Sequence, residues 1–296
     1  MASSPFTRHE PDGEGVPLVF DSPHSGTDVP MHVRPSAPRE ALMTGSDLFV
    51  DRLYGAAPRH GCTLIAANFP RWMIDPNRAP DDLDIELIEG AWPGPVNPGR
   101  KTLQGMGVIR RYALPDVPVY DRKLTVAEIQ RLFREHYDPY HAAVKRELDA
   151  CHARFGAVWH VDCHSMKSRG NAMNDDPGRE RPDVVIGDLD GRSADPAFVA
   201  CAADTLRGMG YRVNINDPYK GAQLIRAYSN PAQRRHSIQI EVNRALYMDE
   251  ARFEPHHGFD KLAGNFEILI RALTAFVRSE IEKRGKVAKA AGIQPQ

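Results

Sequence analysis

Val16-Pro-Leu-Val-Phe20 runs straight into Asp21-Ser-Pro-His-Ser-Gly26, and Cys62-Thr-Leu-Ile-Ala-Ala67 follows further along. The first stretch is an apolar run of strand length that stops at polar, turn-forming residues. Between the two, Ser46 stands where a helix cap is expected, and Leu48, Val50, Leu53 and Tyr54 offer the apolar contacts of a helix over residues 47–60. Strand, helix, strand in that order predicts a parallel unit.

The pattern continues outward. Ala157-Val-Trp-His-Val-Asp162, Asp183-Val-Val-Ile186, Tyr211-Arg-Val-Asn214 and Ser237-Ile-Gln-Ile-Glu-Val242 read as further strands. Ile129, Leu132, Phe133, Tyr137, Tyr140, Val144 and Leu148 recur at helical spacing over residues 125–155, where Pro139 should kink or split the helix. Residues 195–209 and 259–284 read as two more helices. The expected fold is α/β, a three-layer α/β/α sandwich around a mostly parallel or mixed sheet. One domain over residues 1–296 is expected, with residues 1–15 and 285–296 as loose tails. Residues 76–115 are rich in Pro, Gly and Asp and too long for an ordinary connection, which suggests a substrate loop or lid.

Composition narrows the function. The chain has 296 residues, 42% hydrophobic and 26% charged, with a net charge of −1. That balance leaves no basic excess to attract nucleic acid. No apolar run reaches the roughly 20 residues needed to cross a bilayer, and the polar first residues lack the apolar centre of a signal peptide. A cytoplasmic protein is expected. Cys62, Cys151, Cys163 and Cys201 are scattered without C-x-x-C spacing, so free thiols are expected rather than disulfides or a cysteine zinc site.

Chemistry-bearing residues gather where strands end, the place where α/β sheets bind ligands. These clusters are residues 21–26, 75–78, 162–165 and 241–244. His24 and His164 lie in two of them, beside carboxylates, and suit a metal. A catalytic zinc takes about three protein ligands and keeps one position open. Asp47 or Asp51, one helical turn apart, can supply the third, or can simply compensate a helix dipole. Asn77-Arg78 offers an amide and a bidentate fork suited to a carboxylate, although a turn with a surface Arg would look the same. Glu241 lies on an apolar strand, where an ionised carboxylate needs a reason. A salt bridge to Arg244 is one reason, and a base that activates water is another.

Pro23-His-Ser-Gly26, Asp47-Leu-Phe-Val-Asp51, Asp75-Pro-Asn-Arg78, Asp162-Cys-His-Ser165, Lys220-Gly to Arg226, Ile240-Glu-Val-Asn-Arg244 and Tyr247-Met-Asp-Glu250 occur in this order. In this the chain resembles the N-formylglutamate amidohydrolases, over about residues 17–250. The resemblance implies a zinc-peptidase-like fold of the carboxypeptidase and aspartoacylase group. It implies one Zn2+ held by His24, His164 and an aspartate, with Asp47 favoured over Asp51 and then Asp28, because a His-x-x-Glu pair is absent. It further implies Asn77 and Arg78 as a clamp for the substrate carboxylate and Glu241 as the residue that activates water. Asp162, and Asp51 if it is not a ligand, would stand behind the metal ligands as supporting carboxylates. Lys220-Gly-Ala and Leu224-Ile-Arg226 replace the Gly-Gly and Thr-Arg frequent in relatives; Arg226 is kept and is expected to meet a second carboxylate. The partner expected is a small N-acyl amino acid, N-formyl-L-glutamate foremost. Rival readings are a carboxypeptidase-like or deacylating zinc enzyme, a metal-free hydrolase using Cys163 or Ser165 beside His164, and a non-catalytic binder of an amino-acid derivative.

Overall fold

Alternation along the strands sets the layers. In the computed structural model, which describes residues 4–174 and 176–290, β1 (Phe6–His9), β2 (Leu18–Ser22), β3 (Thr63–Ala67), β4 (Val158–Met166), β5 (Val184–Gly187), β6 (Val213–Ile215) and β7 (Arg235–Asn243) make one sheet, ordered β1-β3-β2-β4-β7-β5-β6. β2, β3, β4 and β7 run parallel, while β5 and β6 are parallel to each other and antiparallel to β7. The sheet is therefore mixed and mostly parallel, as expected.

Leu18 and Phe20 of β2, Leu64 of β3 and Trp159, Val161 and Cys163 of β4 face one apolar layer; Val19, Ile65 and Val158 face the other. The first layer is covered by α3 (Pro196–Gly208) and α5 (Phe259–Ala290), the second by α1 (Val126–Leu132) and α2 (Asp138–Phe155). On α5, Leu262, Phe266, Leu269, Ile270, Leu273 and Val277 recur every three or four residues and are buried. Each such side chain contributes about 1.5–3 kcal/mol relative to exposure. Asp195 caps α3, accepting from the Ala197 N–H at 2.8 Å, with Pro196 in the first turn.

Pro139 splits its helix as expected. It has no N–H to close the α-helical ladder, and a π-helical turn, Phe133–Tyr137, joins α1 to α2.

Four expectations change. Residues 47–60 are not one helix: a single α-helical turn, Val50–Leu53, precedes a 3-10 turn, Ala57–His60. Phe49 adopts a left-handed conformation (φ 66°) that interrupts the helix, and the Ser46 hydroxyl makes no cap. The N-terminal tail is partly tied down, because β1 pairs antiparallel with β3 as an edge strand. At the other end the last helix continues to Ala290. Residues 1–3 and 291–296, the remainder of the expected tails, lie outside the described residues. Finally, residues 76–115 are a packed segment with short elements of its own and not an irregular loop, burying Leu83, Leu87, Val108 and Ile109 against the second layer; the expected part in a substrate site is kept, since Arg78, Met106, Arg110 and Ala113 line the central cavity.

Candidate active site

The carboxyl ends of β2, β3, β4 and β7 share one edge, and each delivers a side chain to one place. Beyond β2, the loop carrying His24 presses on the end of β3: a Cβ on Gly26 would lie 2.1 Å from the Asn68 carbonyl carbon, so only glycine fits. The Asp47 N–H donates to the His24 carbonyl at 3.0 Å, which brings the two segments together. On β4, His160, Asp162 and His164 alternate with the apolar residues and face the same side as Ser237, Gln239 and Glu241, their register partners on β7. A polar stripe thus crosses the two central strands.

Both histidines turn Nδ1 inward to the same atom. His24 Nδ1 is 3.2 Å and His164 Nδ1 2.9 Å from Asp47 Oδ2. Both turn Nε2 outward to a carboxylate: His24 Nε2 is 2.7 Å from Asp75 Oδ1, and His164 Nε2 is 2.7 Å from Asp162 Oδ1, the latter a charge pairing rather than an aligned hydrogen bond. Asp47 Oδ1 accepts from Arg244 Nη2 at 2.9 Å, leaving Oδ2 to the histidines. Asp75 is gripped by Arg71 through two bonds of 3.0 and 2.7 Å. His24, Asp47 and His164 are buried, and their donor atoms lie within 4.8 Å of one another. Two imidazoles and a carboxylate, each imidazole backed by another carboxylate, is a donor set that fits a divalent zinc.

Electrostatics sharpen this. Burial pushes the Asp47 carboxyl up, but hydrogen bonds from His164 and His24 outweigh it and hold it well below the usual range. Burial likewise opposes, and Arg71 and His24 overcome, so that Asp75 is also held well below. The two carboxylates stay ionised although buried because cationic or hydrogen-bonding partners surround them. Glu241 differs. Burial, reinforced by Asp47 and Asp162 and opposed by His164 and Arg71, raises it to about 7, the range suited to taking and returning a proton near neutrality. Gln239 Nε2 donates to Glu241 Oε1 at 2.9 Å and fixes its rotamer.

These groups open on a cavity of about 250 Å³ lined also by Arg71, Arg78, Arg110, Lys167 and Arg244. Such a volume suits a small amino-acid derivative. Arg71 and Arg244 are engaged by Asp75 and Asp47 as described. At the rim Arg181 pairs with Asp176 and Lys220 with Asp190. Among the described residues no carboxylate pairs with Arg78, Arg110 or Lys167, and the Nε atoms of Arg78 and Arg110 are buried without a hydrogen-bond partner.

The structure brings His24, Asp47, His164, Glu241 and Arg78 to this cavity and puts Asp162 behind His164. Asn77 also arrives, but its amide is used internally: Nδ2 lies 2.9 Å from Asp162 Oδ2 and 2.8 Å from His164 Nε2, and Oδ1 accepts from the Leu224 N–H at 2.8 Å. These contacts brace the donor cluster. Asp51 stands outside the cluster, its N–H bonded to Ser25 Oγ. Arg226, on α4 (Gln223–Tyr228), is exposed and does not line the cavity. Arg244 pairs with Asp47 and not with Glu241. The Cys163 thiol points into the apolar layer, and burial pushes it well above its ordinary value, which removes it as a nucleophile; Ser165 Oγ accepts from Arg244 Nε at 3.0 Å. All four cysteines are free. Arg71, Gln239 and the support given by Asp75 were not singled out from the sequence. Asp75 was visible as part of a polar strand-end cluster, whereas nothing local marks Arg71.

Residues 16–248 match the family model described as N-formylglutamate amidohydrolase. The chain belongs to this family. It is 31% identical to the N-formylglutamate deformylase of Pseudomonas aeruginosa over 245 residues, covering 79% of this chain and 83% of that one. It is 30% identical to the enzyme of the same name from Pseudomonas putida, covering 87% and 91%. Among solved structures, the N-formylglutamate amidohydrolase from Ralstonia eutropha JMP134 superposes with a TM-score of 0.90 at 46% identity, covering 94% of this chain and all of that one. A gene product of Agrobacterium tumefaciens, 18% identical, shares the fold with a TM-score of 0.65 over 95% of this chain and 97% of its own. Like the family, the chain is an amidohydrolase. No helix among the described residues is long and apolar enough to cross a membrane.

Proposed function

We propose that this chain is a Zn2+-dependent deformylase that hydrolyses N-formyl-L-glutamate to formate and glutamate. The observation that carries the reading is the convergence of His24, Asp47 and His164 on one point of a cavity that Glu241 also lines. The name shared by the Pseudomonas relatives supports the substrate. The same reading treats the chain as one domain and places it in the cytoplasm.

His24 Nδ1, His164 Nδ1 and Asp47 Oδ2 would hold the metal. Zn2+, when bound, supplies Lewis-acid polarisation of the formyl carbonyl and makes water a better acid. Asp75 and Asp162 orient the two imidazoles from behind, and Asn77 fixes Asp162 and His164 relative to each other. Glu241, near neutral pKa and held by Gln239, takes the proton of the attacking water and returns it to the departing amine nitrogen. The C–N amide bond breaks, formate takes up the water oxygen, and glutamate leaves with a protonated amine. Arg78, without a carboxylate partner of its own, binds the α-carboxylate.

The test is formate release from N-formyl-L-glutamate by purified protein, before zinc removal, after it, and after restoration. Activity lost on removal and regained with zinc supports the reading. Release that persists in metal-free protein overturns the zinc requirement, and no release from zinc-loaded protein overturns the substrate.

A further inference from the structure

The cavity holds more positive charge than the reaction described so far uses. Arg78 answers one carboxylate. Arg110 is then left over, although it is only 8% exposed, its Nε is buried without a partner, and none of the described carboxylates pairs with it. Arg111, its neighbour in the chain, lies 2.9 Å from Asp84 and is accounted for. Asp75 and Asp47 are felt from a distance, but they are bonded to Arg71 and Arg244; a buried guanidinium with no carboxylate paired to it is costly, and such a group persists where a ligand supplies the missing anion.

Two further observations place that anion. Gly45 lies against the Arg110 head: a Cβ there would be 2.8 Å from Nη1, so the absence of a side chain at Gly45 is what gives the guanidinium its position. Lys167, lining the same cavity and equally without a carboxylate, is close enough for each charge to be felt by the other. Burial, with repulsion from Arg71 and Arg78 and against the pull of Asp75 and Asp47, lowers Arg110 to about 9; burial, with repulsion from Arg244 and Arg110 and against the pull of Glu250, lowers Lys167 to about 8. An anion between them would relieve both. The α-carboxylate is one carbon from the scissile nitrogen and belongs with Arg78, whose chain neighbour Asn77 touches His164. A side-chain carboxylate reaches further and falls to the other pair.

We infer that Arg110, assisted by Lys167, is the specificity-determining site for the side-chain carboxylate, so that the cavity selects N-formyl amino acids that are dianions. This rests on the deformylase reading and assigns to Arg110 the role that the sequence suggested for Arg226, which is exposed.

The experiment compares kcat/KM for N-formyl-L-glutamate and N-formyl-L-glutamine in the wild type, Arg110→Met, Lys167→Met and Gly45→Ala, each checked for an unchanged thermal midpoint. Loss of a charge-assisted, bidentate contact is expected to reduce turnover of the glutamate derivative by about 30- to 100-fold in Arg110→Met. Turnover of the glutamine derivative should fall much less, so that the preference for the glutamate derivative shrinks, and Gly45→Ala should shift the preference in the same direction by displacing the guanidinium. An unchanged preference in Arg110→Met and Gly45→Ala, or an equal loss on both substrates, overturns the assignment. Calorimetry with the amino acids L-glutamate and L-glutamine separates this inference from the deformylase reading. A wild type that turns over neither substrate but binds glutamate in preference, and loses that preference in Arg110→Met, sinks the deformylase reading and supports the assignment. Equal binding of the two amino acids in the wild type overturns the assignment.

Discussion

Glu241 lies opposite His164 in the register of the parallel strands β4 and β7. Neighbouring strands are about 4.8 Å apart, so the Glu241 carboxyl, proposed to handle the proton, and an inward-facing imidazole are side by side on the same face of the sheet. Each is carried by a nine-residue strand in the middle of the molecule. Their separation is set by backbone hydrogen bonding and not by loop conformation, which is the rigidity a site needs when misplacement by an ångström is costly.

Replacing Glu241 with Gln is therefore expected to leave metal binding in place while lowering kcat by about 10³-fold, within the range for a positioned general base. Bound zinc per chain and turnover measured on the same sample check this. A rate near that of the wild type would remove Glu241 from its role.

Asp75→Asn and Asp162→Asn keep shape but weaken the charge behind each imidazole. Each is expected to reduce zinc affinity by about 10- to 100-fold, read by titration against a competing chelator. Affinity equal to the wild type would mean that the imidazoles are oriented by something else.

On the zinc reading proposed above, the folded donor set binds the metal more tightly than a scattered one, so zinc should stabilise the fold by mass action. At free zinc about 100 times its Kd, the gain is about 2.7 kcal/mol. Calorimetric melting with and without a chelator should show a higher midpoint for the zinc form. Coincident midpoints would contradict binding at a preformed site.

Arg78→Lys keeps the charge but loses the planar fork. KM for N-formyl-L-glutamate is expected to rise by about tenfold or more with kcat little affected, the signature of uniform binding lost. A fall in kcat alone would place Arg78 in the chemical step instead.

Acid sensitivity should include a term far from the site. Thr125 and Glu128 form a capping box at the start of α1, and the Arg122 guanidinium bonded to Glu128, aided by Thr125, lowers that carboxyl to about 2 from 4.5. The folded value lies below the unfolded one, so the stabilisation is complete above about 4.5 and disappears as pH falls toward about 2. The Glu128 side chain is more than a third exposed and screened by solvent, so Glu128→Gln should cost only about 0.5 kcal/mol at neutral pH. Urea midpoints of the two proteins should differ at neutral pH and converge near pH 2. A gap that is constant with pH would rule out the charge as its origin.

The strands of the parallel unit and the polar clusters at their ends were readable because apolar runs and turn residues are local signals. His24, His164 and Glu241 followed from that placement. What escaped depended on partners distant in the chain. Arg71 matters because Asp75 and Asp47 are near it in space, and Gln239 because Glu241 and Asn77 flank it. The bracing contacts of Asn77 with His164 and Asp162 were equally unmarked, because an amide beside an Arg carries no sign of an internal partner. Ser46 failed as a cap because Phe49 turns left-handed and the chain is held instead by His24 and Ser25. The edge strand β1 has too little apolar character to announce itself.

The alternation along β4 has a consequence for folding. Trp159, Val161 and Cys163 fill one apolar layer while His160, Asp162 and His164 face the other side. Sliding this strand by one residue against its neighbours would drive two imidazoles and a carboxylate into hydrocarbon and expose the indole of Trp159 to the polar side. The polar stripe of β4 thereby acts as an error check on assembly: a chain that pairs this strand one residue out cannot bury it, so the alignment that completes the sheet is the one that brings His164 to the cavity.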